Sequence, residues 1–335
     1  MKAVVHTRYG PPEALELREI DNPTPGVGEI LIKVRAATMT AGDCELRRSD
    51  IMPLFWLPLR LYVGLFRPRG TRVLGQEFAG DVEAVGAGVT RFKPGDAVFG
   101  GTGLRLGAHA EYLCLPEKGA LALKPPGVSF EQAAGIPVGG QNALHFLRLA
   151  EIRPGQQVLV YGASGSIGTF AVQLAKHFGA EVTAVCSTGK VEMVRSIGAD
   201  HVIDYTQEDF SARGPVYDVV FDAVGKSGFS RSIRALRGHG IFIQSNPSMA
   251  DMVRGPWISR RTDKRVILKF AGDSSDDLAF LAGLVEDGTL VTVIDRCYPL
   301  EQIIEAHRYV ELGHKAGNVI ITIGENTRQG GGGVA

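Results

Sequence analysis

The stretch that decides the fold covers residues 157–187 and reads QVLVYGASGSIGTFAVQLAKHFGAEVTAVCS. It begins with the apolar run 158–161, which is typical of a buried strand, and passes through the glycine-rich segment 162–168. A helical stretch follows, and a second apolar run begins at Glu181. Strand, turn, helix and strand make one unit of a parallel sheet. The helix has a single apolar stripe, formed by Ile167, Phe170, Ala171, Leu174, Ala175 and Phe178.

The glycine-rich segment predicts a dinucleotide site, because the glycines stand between a strand and an amphipathic helix. Its pattern is AxGxxG, with Ala163 in the first position. Gly165 lets the backbone approach a pyrophosphate, and Gly168 lets the helix pack closely on the strand. The amides of the helix N-terminus would hold the anion. The alternative is a purely structural turn.

The end of the second strand indicates which dinucleotide is bound. NAD sites place an Asp or Glu there to hold the ribose 2′-hydroxyl. This chain reads Cys-Ser-Thr-Gly-Lys over residues 186–190, with no acid. Hydroxyl groups and Lys190 suit a 2′-phosphate, which a carboxylate would repel, so the sequence predicts NADPH. Taken alone, Lys190 could equally be a solvated surface lysine.

The chain changes character twice. Residues before about 125 contain short runs rich in β-branched residues, cut by proline and glycine, which predict a small barrel or sandwich. From Ser129, which begins a Ser-x-x-Gln capping box, strands and helices alternate and predict a parallel sheet covered on both faces. After about Thr262 the pattern becomes mixed again, and residues 326–335 are expected to be a disordered tail.

Composition excludes several classes of protein. Lys+Arg and Asp+Glu both number 36, so there is no general basic surface for nucleic acid. The four cysteines lie far apart in the sequence, which suits neither a disulfide scaffold nor a clustered metal site. The first ten residues read as a strand rather than a signal peptide, so a cytoplasmic location is expected.

The segment 51–66, IMPLFWLPLRLYVGLF, is unusually apolar. It is too short to span a membrane, for which about 20 apolar residues are needed. We expect Pro53 and Pro58 to prevent a long helix and to leave short turns or broken helical pieces. The segment is interpreted as a roof over a hydrophobic substrate cleft. The alternative is a patch that contacts a membrane or a partner.

Four segments together resemble one family: GASGSIG, KVEMVRSIGADHVIDY, LGQEFAGDVEAVGAGVTRFKPGD and GHKAGNVIITI. They are similar to the zinc-independent, zeta-crystallin-like NADPH quinone oxidoreductases of the medium-chain dehydrogenase/reductase superfamily. The resemblance implies an α/β protein with a GroES-like β-barrel catalytic domain and a Rossmann domain with a doubly wound parallel sheet. The implied boundaries are 1–128 for the catalytic domain, completed by 263–325, and 129–262 for the Rossmann domain.

The resemblance also implies roles for individual residues. Lys190, with Ser187 beside it, and Tyr205 would hold the 2′-phosphate, while Gly225 would lie beside the ribose and nicotinamide. Gly139 and Gly140 would begin a helix that faces the nicotinamide, and Asn318 would close on the cofactor. The residues implied to cover the pyrophosphate are Ser164, Gly165, Ile167 and Gly168.

The metal-binding positions of zinc-dependent relatives are changed in this chain. Those relatives use a Cys three residues before an Asp and a Gly-His-Glu motif, whereas this chain has Thr40 before Asp43, and Gln76 in place of the histidine. A hydroxyl and an amide are poor zinc ligands, so we expect no metal. Thr40 and Asp43 remain the candidate catalytic residues, although Asp43 could simply fix the loop.

Without zinc, the expected reaction is hydride transfer from NADPH to an acceptor that is already electron-poor, a quinone or an α,β-unsaturated carbonyl. The substrate would be small and hydrophobic, and the resemblance suggests a homodimer. The alternatives are a catalytically silent NADPH-binding protein of the same fold and a membrane-associated partner protein.

Overall fold

The computed structural model describes residues 1–50, 53–68, 72–269 and 271–324, with backbone alone for residues 53–55 and 59. The chain forms two lobes, and each lobe is built on one large β-sheet. The N-terminal lobe also receives two strands from the C-terminal end of the chain. The other lobe contains the glycine-rich turn.

The sheet of the N-terminal lobe has the strand order β14-β15-β3-β4-β5-β7, with β6 paired to β3. Its neighbouring strands are antiparallel, apart from the parallel pair β14 and β15. A separate antiparallel pair is formed by β1 and β2. The elements of this lobe are β1 (Lys2–His6), β2 (Leu15–Glu19), β3 (Glu29–Thr38), α1 (Ala41–Arg48), α2 (Pro53–Val63), β4 (Glu77–Val85), β5 (Ala97–Gly101), β6 (Tyr112–Pro116) and β7 (Leu121–Leu123), with β14 (Ile294–Pro299), α10 (Ile303–Glu311) and β15 (Asn318–Thr322) from the C-terminal part.

The second lobe is a parallel sheet with the order β10-β9-β8-β11-β12-β13. The order reverses at β8, which places a crevice at the carboxyl ends of β8 and β11, where doubly wound sheets bind ligands. The elements of this lobe are α3 (Phe130–Ala134), α4 (Pro137–Leu149), β8 (Gln157–Tyr161), α5 (Ser166–His177), β9 (Glu181–Cys186), α6 (Val191–Ser196), β10 (His201–Asp204), β11 (Tyr217–Asp222), α7 (Phe229–Ala235), β12 (Leu236–Gln244), α8 (Met249–Arg261), β13 (Arg265–Ile267) and α9 (Ser275–Glu286).

Both faces of the parallel sheet are covered by apolar side chains. One face shares a cluster with α4, α5 and α9, and the other packs against residues such as Phe210 and Phe242. The first cluster also includes Phe99 and Ile320 from the other sheet, so the two lobes have a continuous core. These observations confirm the predicted fold class.

Strand β13 requires a correction to the predicted domain boundary. It pairs in parallel with β12 over Ile241↔Arg265 to Ile243↔Ile267, so it belongs to the parallel sheet. The predicted boundary at residue 262 separates it from that sheet. Helix α8 is the crossover that returns the chain to the sheet edge, so we extend the parallel-sheet lobe to Ile267. The predicted disordered tail, residues 326–335, lies outside the described residues.

The prediction for the apolar segment is also wrong in one respect. Helix α2 covers Pro53–Val63 without interruption and contains Pro58. Pro53 lies in the first turn, where an N–H has no acceptor within the helix, so it is tolerated there. Pro58 removes one backbone hydrogen bond without ending the helix. In the described part of the chain, no helix has the length and apolar character needed to cross a membrane.

Candidate active site

The glycine-rich turn joins β8 to α5, and two of its three glycines, Gly165 and Gly168, differ in what a side chain would meet. A side-chain carbon at Gly168 would lie 2.1 Å from the carbonyl oxygen of Gly162, so close packing within the protein requires glycine there. At Gly165 the nearest atom to such a carbon would be 3.5 Å away. Gly165 therefore leaves open space in front of the helix.

The N-terminal end of α5 faces this space. Gly165 is the N-cap residue, and since it has no side chain it cannot satisfy the first amides of the helix. Ser164 and Ile167 flank this position, and the carbonyl of Ser164 accepts a hydrogen bond from Gly317 N at 2.8 Å. Open space and amides without a side-chain cap fit the diphosphate of a dinucleotide.

The residues predicted to hold a 2′-phosphate meet at the ends of β9 and β10. Cys186 and Asp204 are register partners, and Tyr205 N donates to Cys186 O at 3.1 Å. Tyr205 is thereby brought beside the segment that contains Ser187 and Lys190.

Asp204 was not considered in the sequence analysis, although it places a carboxylate at this edge. That carboxylate accepts hydrogen bonds from Thr188 Oγ1 at 2.5 Å, Thr206 N at 2.9 Å and Gln207 Nε2 at 2.9 Å. These hydrogen bonds, the one from Thr188 first, hold the pKa of Asp204 below its ordinary value. The carboxylate is committed to the loop, so it organises the segment around Lys190.

Gly225 lies in a turn that follows β11. Its φ is +72°, and a side-chain carbon there would lie 2.5 Å from Asn246 O, so glycine is required. The turn is organised by the buried Asp222, which accepts from Gly225 N at 2.8 Å and Ser227 N at 2.8 Å. Sequence reasoning missed Asp222, although a carboxylate at the carboxyl end of a buried strand was a usable signal.

Thr40 and Asp43 form the N-terminal cap of α1. Thr40 Oγ1 donates to Asp43 Oδ2 at 2.6 Å and accepts from Asp43 N at 3.1 Å and from Gln76 Nε2 at 3.0 Å. The other oxygen of Asp43 accepts from Gly75 N at 3.1 Å. A hydroxyl has one donor and two acceptor positions, so that of Thr40 is fully used. This geometry favours the structural alternative for Asp43. A catalytic role for Thr40 stays a prediction, and it requires one of these hydrogen bonds to open.

Glu77, next to Gln76, is a buried carboxyl that the sequence analysis did not select. Thr38 Oγ1 donates to Oε2 at 2.5 Å, and Val138 N in the first turn of α4 donates to Oε1 at 2.5 Å. Burial raises the pKa of Glu77 to about 7, although both hydrogen bonds act in the opposite direction. A carboxyl that titrates near neutrality in a buried site is a candidate for proton handling.

The three remaining predicted positions, Asn318, Gly139 and Gly140, are occupied by protein contacts. Asn318 is buried, and its Nδ2 donates to Val293 O at 3.3 Å. A side-chain carbon at Gly140 would meet Leu281 Cδ1 of α9 at 2.9 Å, and one at Gly139 would meet Ser166 O at 3.0 Å. Their roles at a cofactor stay predictions, while the structure gives each a packing reason.

Lys315, three residues before Asn318, contacts the glycine-rich turn and was not selected by the sequence analysis. Its Nζ donates to Ser166 Oγ at 2.6 Å. No local sequence pattern predicts this contact, because the two residues are 149 positions apart.

The donor set near Thr40 can be compared with that of a zinc site. Within the described residues, no group of three or more His, Cys, Asp or Glu side chains is arranged to hold a metal ion. The positions that correspond to zinc ligands hold an amide and a hydroxyl, which bond to each other at 3.0 Å. These groups do not fit zinc, which takes thiolate, imidazole and carboxylate.

Comparison with known proteins gives consistent matches over nearly all of the chain. Residues 26–126 match the alcohol dehydrogenase GroES-like domain, and residues 197–321 match the family described as zinc-binding dehydrogenase. The chloroplast quinone oxidoreductase QR1 of Triphysaria versicolor is 32% identical and covers 96% of this chain and 98% of its own. The chloroplast NADPH-dependent alkenal/one oxidoreductase of Arabidopsis thaliana is 32% identical over 96% of this chain and 79% of its own. Among solved structures, the quinone oxidoreductase of Coxiella burnetii has a TM-score of 0.87 at 29% identity, covering 97% and 99% of the two chains.

Proposed function

Because this chain belongs to the quinone and enone oxidoreductase family of the medium-chain dehydrogenase/reductase superfamily, we propose that it is a zinc-free, NADPH-dependent reductase. Its acceptor would be a quinone or an α,β-unsaturated carbonyl. Membership of the family makes it an oxidoreductase. The parts that we propose are NADPH as the cofactor, the absence of zinc, and a quinone or an α,β-unsaturated carbonyl as the acceptor.

The Gln76–Thr40 hydrogen bond is the observation that carries the zinc-free assignment. Alcohol oxidation needs a group that removes the hydroxyl proton, and in zinc enzymes the metal lowers the pKa of that hydroxyl. Here an amide and a hydroxyl satisfy each other in place of metal ligands. Reduction of an electron-poor acceptor needs no such activation. This donor set therefore supports that reaction.

The choice of NADPH is supported by the edge at β9 and β10. Ser187 and Lys190 follow β9 and Tyr205 follows its neighbour β10, so the three residues stand at the same edge of the sheet. The carboxylate of Asp204 at this edge is engaged by three neighbours. A 2′-phosphate would find an ammonium and hydroxyl groups at this edge. The Arabidopsis thaliana relative is named as an NADPH-dependent enzyme, which agrees with this choice.

The protein would contribute orientation, exclusion of water and control of a proton. A bound nicotinamide supplies the hydride, and the acceptor takes this hydride and one proton. The turn at 162–168 and the turn after β11 would hold the nucleotide at the carboxyl ends of β8 and β11. Glu77, with its pKa raised to about 7 by burial, is positioned at the first turn of α4 to hold or release a proton.

Stopped-flow measurement of NADPH oxidation with a panel of acceptors tests the proposal. The panel should contain an ortho-quinone, a para-quinone, an alkenal and an enone, and the control is an alcohol with NADP⁺. We expect acceptor-dependent oxidation with at least one quinone or enone and none with the alcohol. Tight NADPH binding without any acceptor-dependent rate would instead identify the catalytically silent binding protein.

Two further parts of the proposal concern the environment of the protein. We propose a homodimer that is formed through the parallel-sheet lobe, and a cytoplasmic location. The balanced charge, with 36 basic and 36 acidic residues, gives no support to a nucleic-acid partner.

A further inference from the structure

Lys315 lies in the short connection before β15, and this connection packs on the glycine-rich turn. Gly317 N donates to Ser164 O at 2.8 Å, so the backbone of the connection is fixed against the turn. The Nζ atom of Lys315 lies 2.6 Å from Ser166 Oγ and 2.6 Å from Gly317 O. Ser166 is the first residue of α5. Lys315 therefore brings a positive charge to the N-terminal end of this helix.

A cation has the wrong sign for that position. The N-terminal end of a helix carries about half a positive elementary charge. Burial lowers the pKa of Lys315 to about 8, although the carboxylates of Glu77 and Asp295 favour the charged form. Asp295 is also held by Tyr309 Oη at 2.6 Å and Ala316 N at 2.8 Å. The N-terminal end of α5 and the ammonium of Lys315 are two positive groups that lie close together. An anion between them would be stabilised by both.

The site has both a donor and space for such an anion. An ammonium has three N–H donors, and Ser166 Oγ and Gly317 O accept two of them. Beside it, the missing side chain of Gly165 leaves the open space described above. A diphosphate requires N–H donors, positive charge and space. The first amides of α5, the ammonium of Lys315 and the open space at Gly165 provide these on the same turn.

We propose that Lys315 contacts the diphosphate of the bound dinucleotide and supplies the positive charge for it. This inference rests on the proposed function and divides recognition between two lysines. Lys190 would contact the 2′-phosphate, which only NADPH has. Lys315 would contact the diphosphate, which NADPH and NADH share. The first lysine would set the preference, and the second would set the affinity for both nucleotides.

Fluorescence titration of the purified protein with NADPH and with NADH tests this division without relying on turnover. We expect Lys315→Met to weaken both nucleotides by the same factor, about tenfold. The matched control is Lys190→Met, the same substitution at the other end of the cofactor, which should weaken NADPH alone. Lys315→Arg keeps the charge and should retain most of the affinity.

Thermal unfolding of each variant shows whether the fold is kept. If Lys315→Met does not fold, Lys315→Gln removes the charge while keeping a hydrogen-bond donor, and the same equal loss is expected. Unchanged affinity in the folded neutral variant, or a loss confined to NADPH, overturns the role of Lys315. If the wild-type protein binds neither nucleotide, both this inference and the proposed function fail. If it binds them and the neutral variant binds equally well, the role of Lys315 alone fails.

Discussion

The carboxyl group of Glu77 connects the N-terminal sheet to the first turn of α4. One oxygen accepts from Thr38 in β3, and the other accepts from Val138 N. Because the group is buried, its pKa is raised from 4.5 to about 7. Between these two values the folded protein holds a proton that the unfolded chain has released. The contribution of Glu77 to stability is therefore fully present below pH 4.5 and is lost as the pH rises through about 7.

The variant Glu77→Gln should remove this pH dependence. An amide keeps an acceptor for Val138 N and cannot ionise. We expect the stability of the variant relative to wild type to rise between pH 5 and pH 7, by up to roughly 3 kcal/mol, since one pKa unit corresponds to about 1.4 kcal/mol. Urea unfolding of both proteins at several pH values measures the difference. A difference that is constant with pH would show that Glu77 titrates normally.

Cofactor preference is a second property that single residues should set. From Ser187, Lys190 and Tyr205 at one edge, we expect NADPH to bind at least about tenfold more tightly than NADH, or about 1.4 kcal/mol. Titration of nicotinamide fluorescence measures both dissociation constants. In Lys190→Met most of the preference should disappear, because the cation opposite the 2′-phosphate is gone. Equal affinities in the wild-type protein would contradict the phosphate assignment.

At the scale of elements, the features that depend on neighbouring residues were predictable and those that depend on distant ones were not. The β8–turn–α5 unit follows from local spacing, and Phe170 and Leu174 of the predicted stripe are fully buried. The prediction that Pro58 breaks α2 was wrong, because one lost hydrogen bond did not end the helix. Lys315 and Glu77 were missed because their partners come from other parts of the chain.

Helix α2 has an exposed apolar surface beside a loop at the junction of the lobes. Trp56, Leu57, Leu61 and Tyr62 are between 39% and 53% exposed. Tyr62 Oη donates to Leu104 O at 3.4 Å. A side-chain carbon at the neighbouring Gly103 would lie 3.9 Å from Asp273 Oδ2, which follows β13 in the other lobe. The helix therefore lies next to a place where the two lobes meet.

If α2 forms the roof of the substrate cleft, Trp56→Ala or Leu57→Ser should raise the KM for apolar quinones several-fold. Small water-soluble quinones should be affected much less, and the affinity for NADPH should not change. Steady-state kinetics with both acceptor types measures this. Leu312→Ser is a matched control, because Leu312 is an exposed leucine on another helix end.

Three results would contradict the roof. They are an equal response of both acceptor types, a loss of stability alone, and an equal response in the Leu312 control. Flotation of the protein with liposomes tests the alternative, in which the same apolar residues insert into a membrane surface. Flotation that is lost in Leu57→Ser, without a change in KM, would identify α2 as a membrane contact.

At the scale of the whole molecule, the donor set around Thr40 predicts the metal content. Since the Gln76 amide and the Thr40 hydroxyl bond to each other, we expect no stoichiometric zinc in the purified protein. Elemental analysis measures this, and chelators should leave the rate of NADPH oxidation unchanged. One zinc per chain would contradict the assignment and the reaction class that was proposed from it.

We expect the proposed homodimer to form through the edge of the parallel sheet at β13. This strand pairs with β12 and lies at the end of the strand order. Beside it, α8 exposes Met249, Val253 and Trp257 by 46%, 74% and 54%, at a spacing of four residues. An apolar stripe next to a sheet edge is a surface that a partner would cover. We predict that a second copy covers it, because two identical edges can pair about a two-fold axis.

Sedimentation equilibrium at micromolar concentration tests this assembly. We expect the wild-type protein to be a dimer and Val253→Asp to be a monomer, since the variant would bury a charge in the interface. The affinity of the monomer for NADPH should stay unchanged, because Val253 is exposed on α8 and is not among the residues proposed to hold the cofactor. Leu123→Asp is the matched control, an exposed leucine in β7 of the other sheet, and it should remain dimeric. A monomeric wild-type protein, or a dimer that survives Val253→Asp, would place the interface elsewhere or remove it.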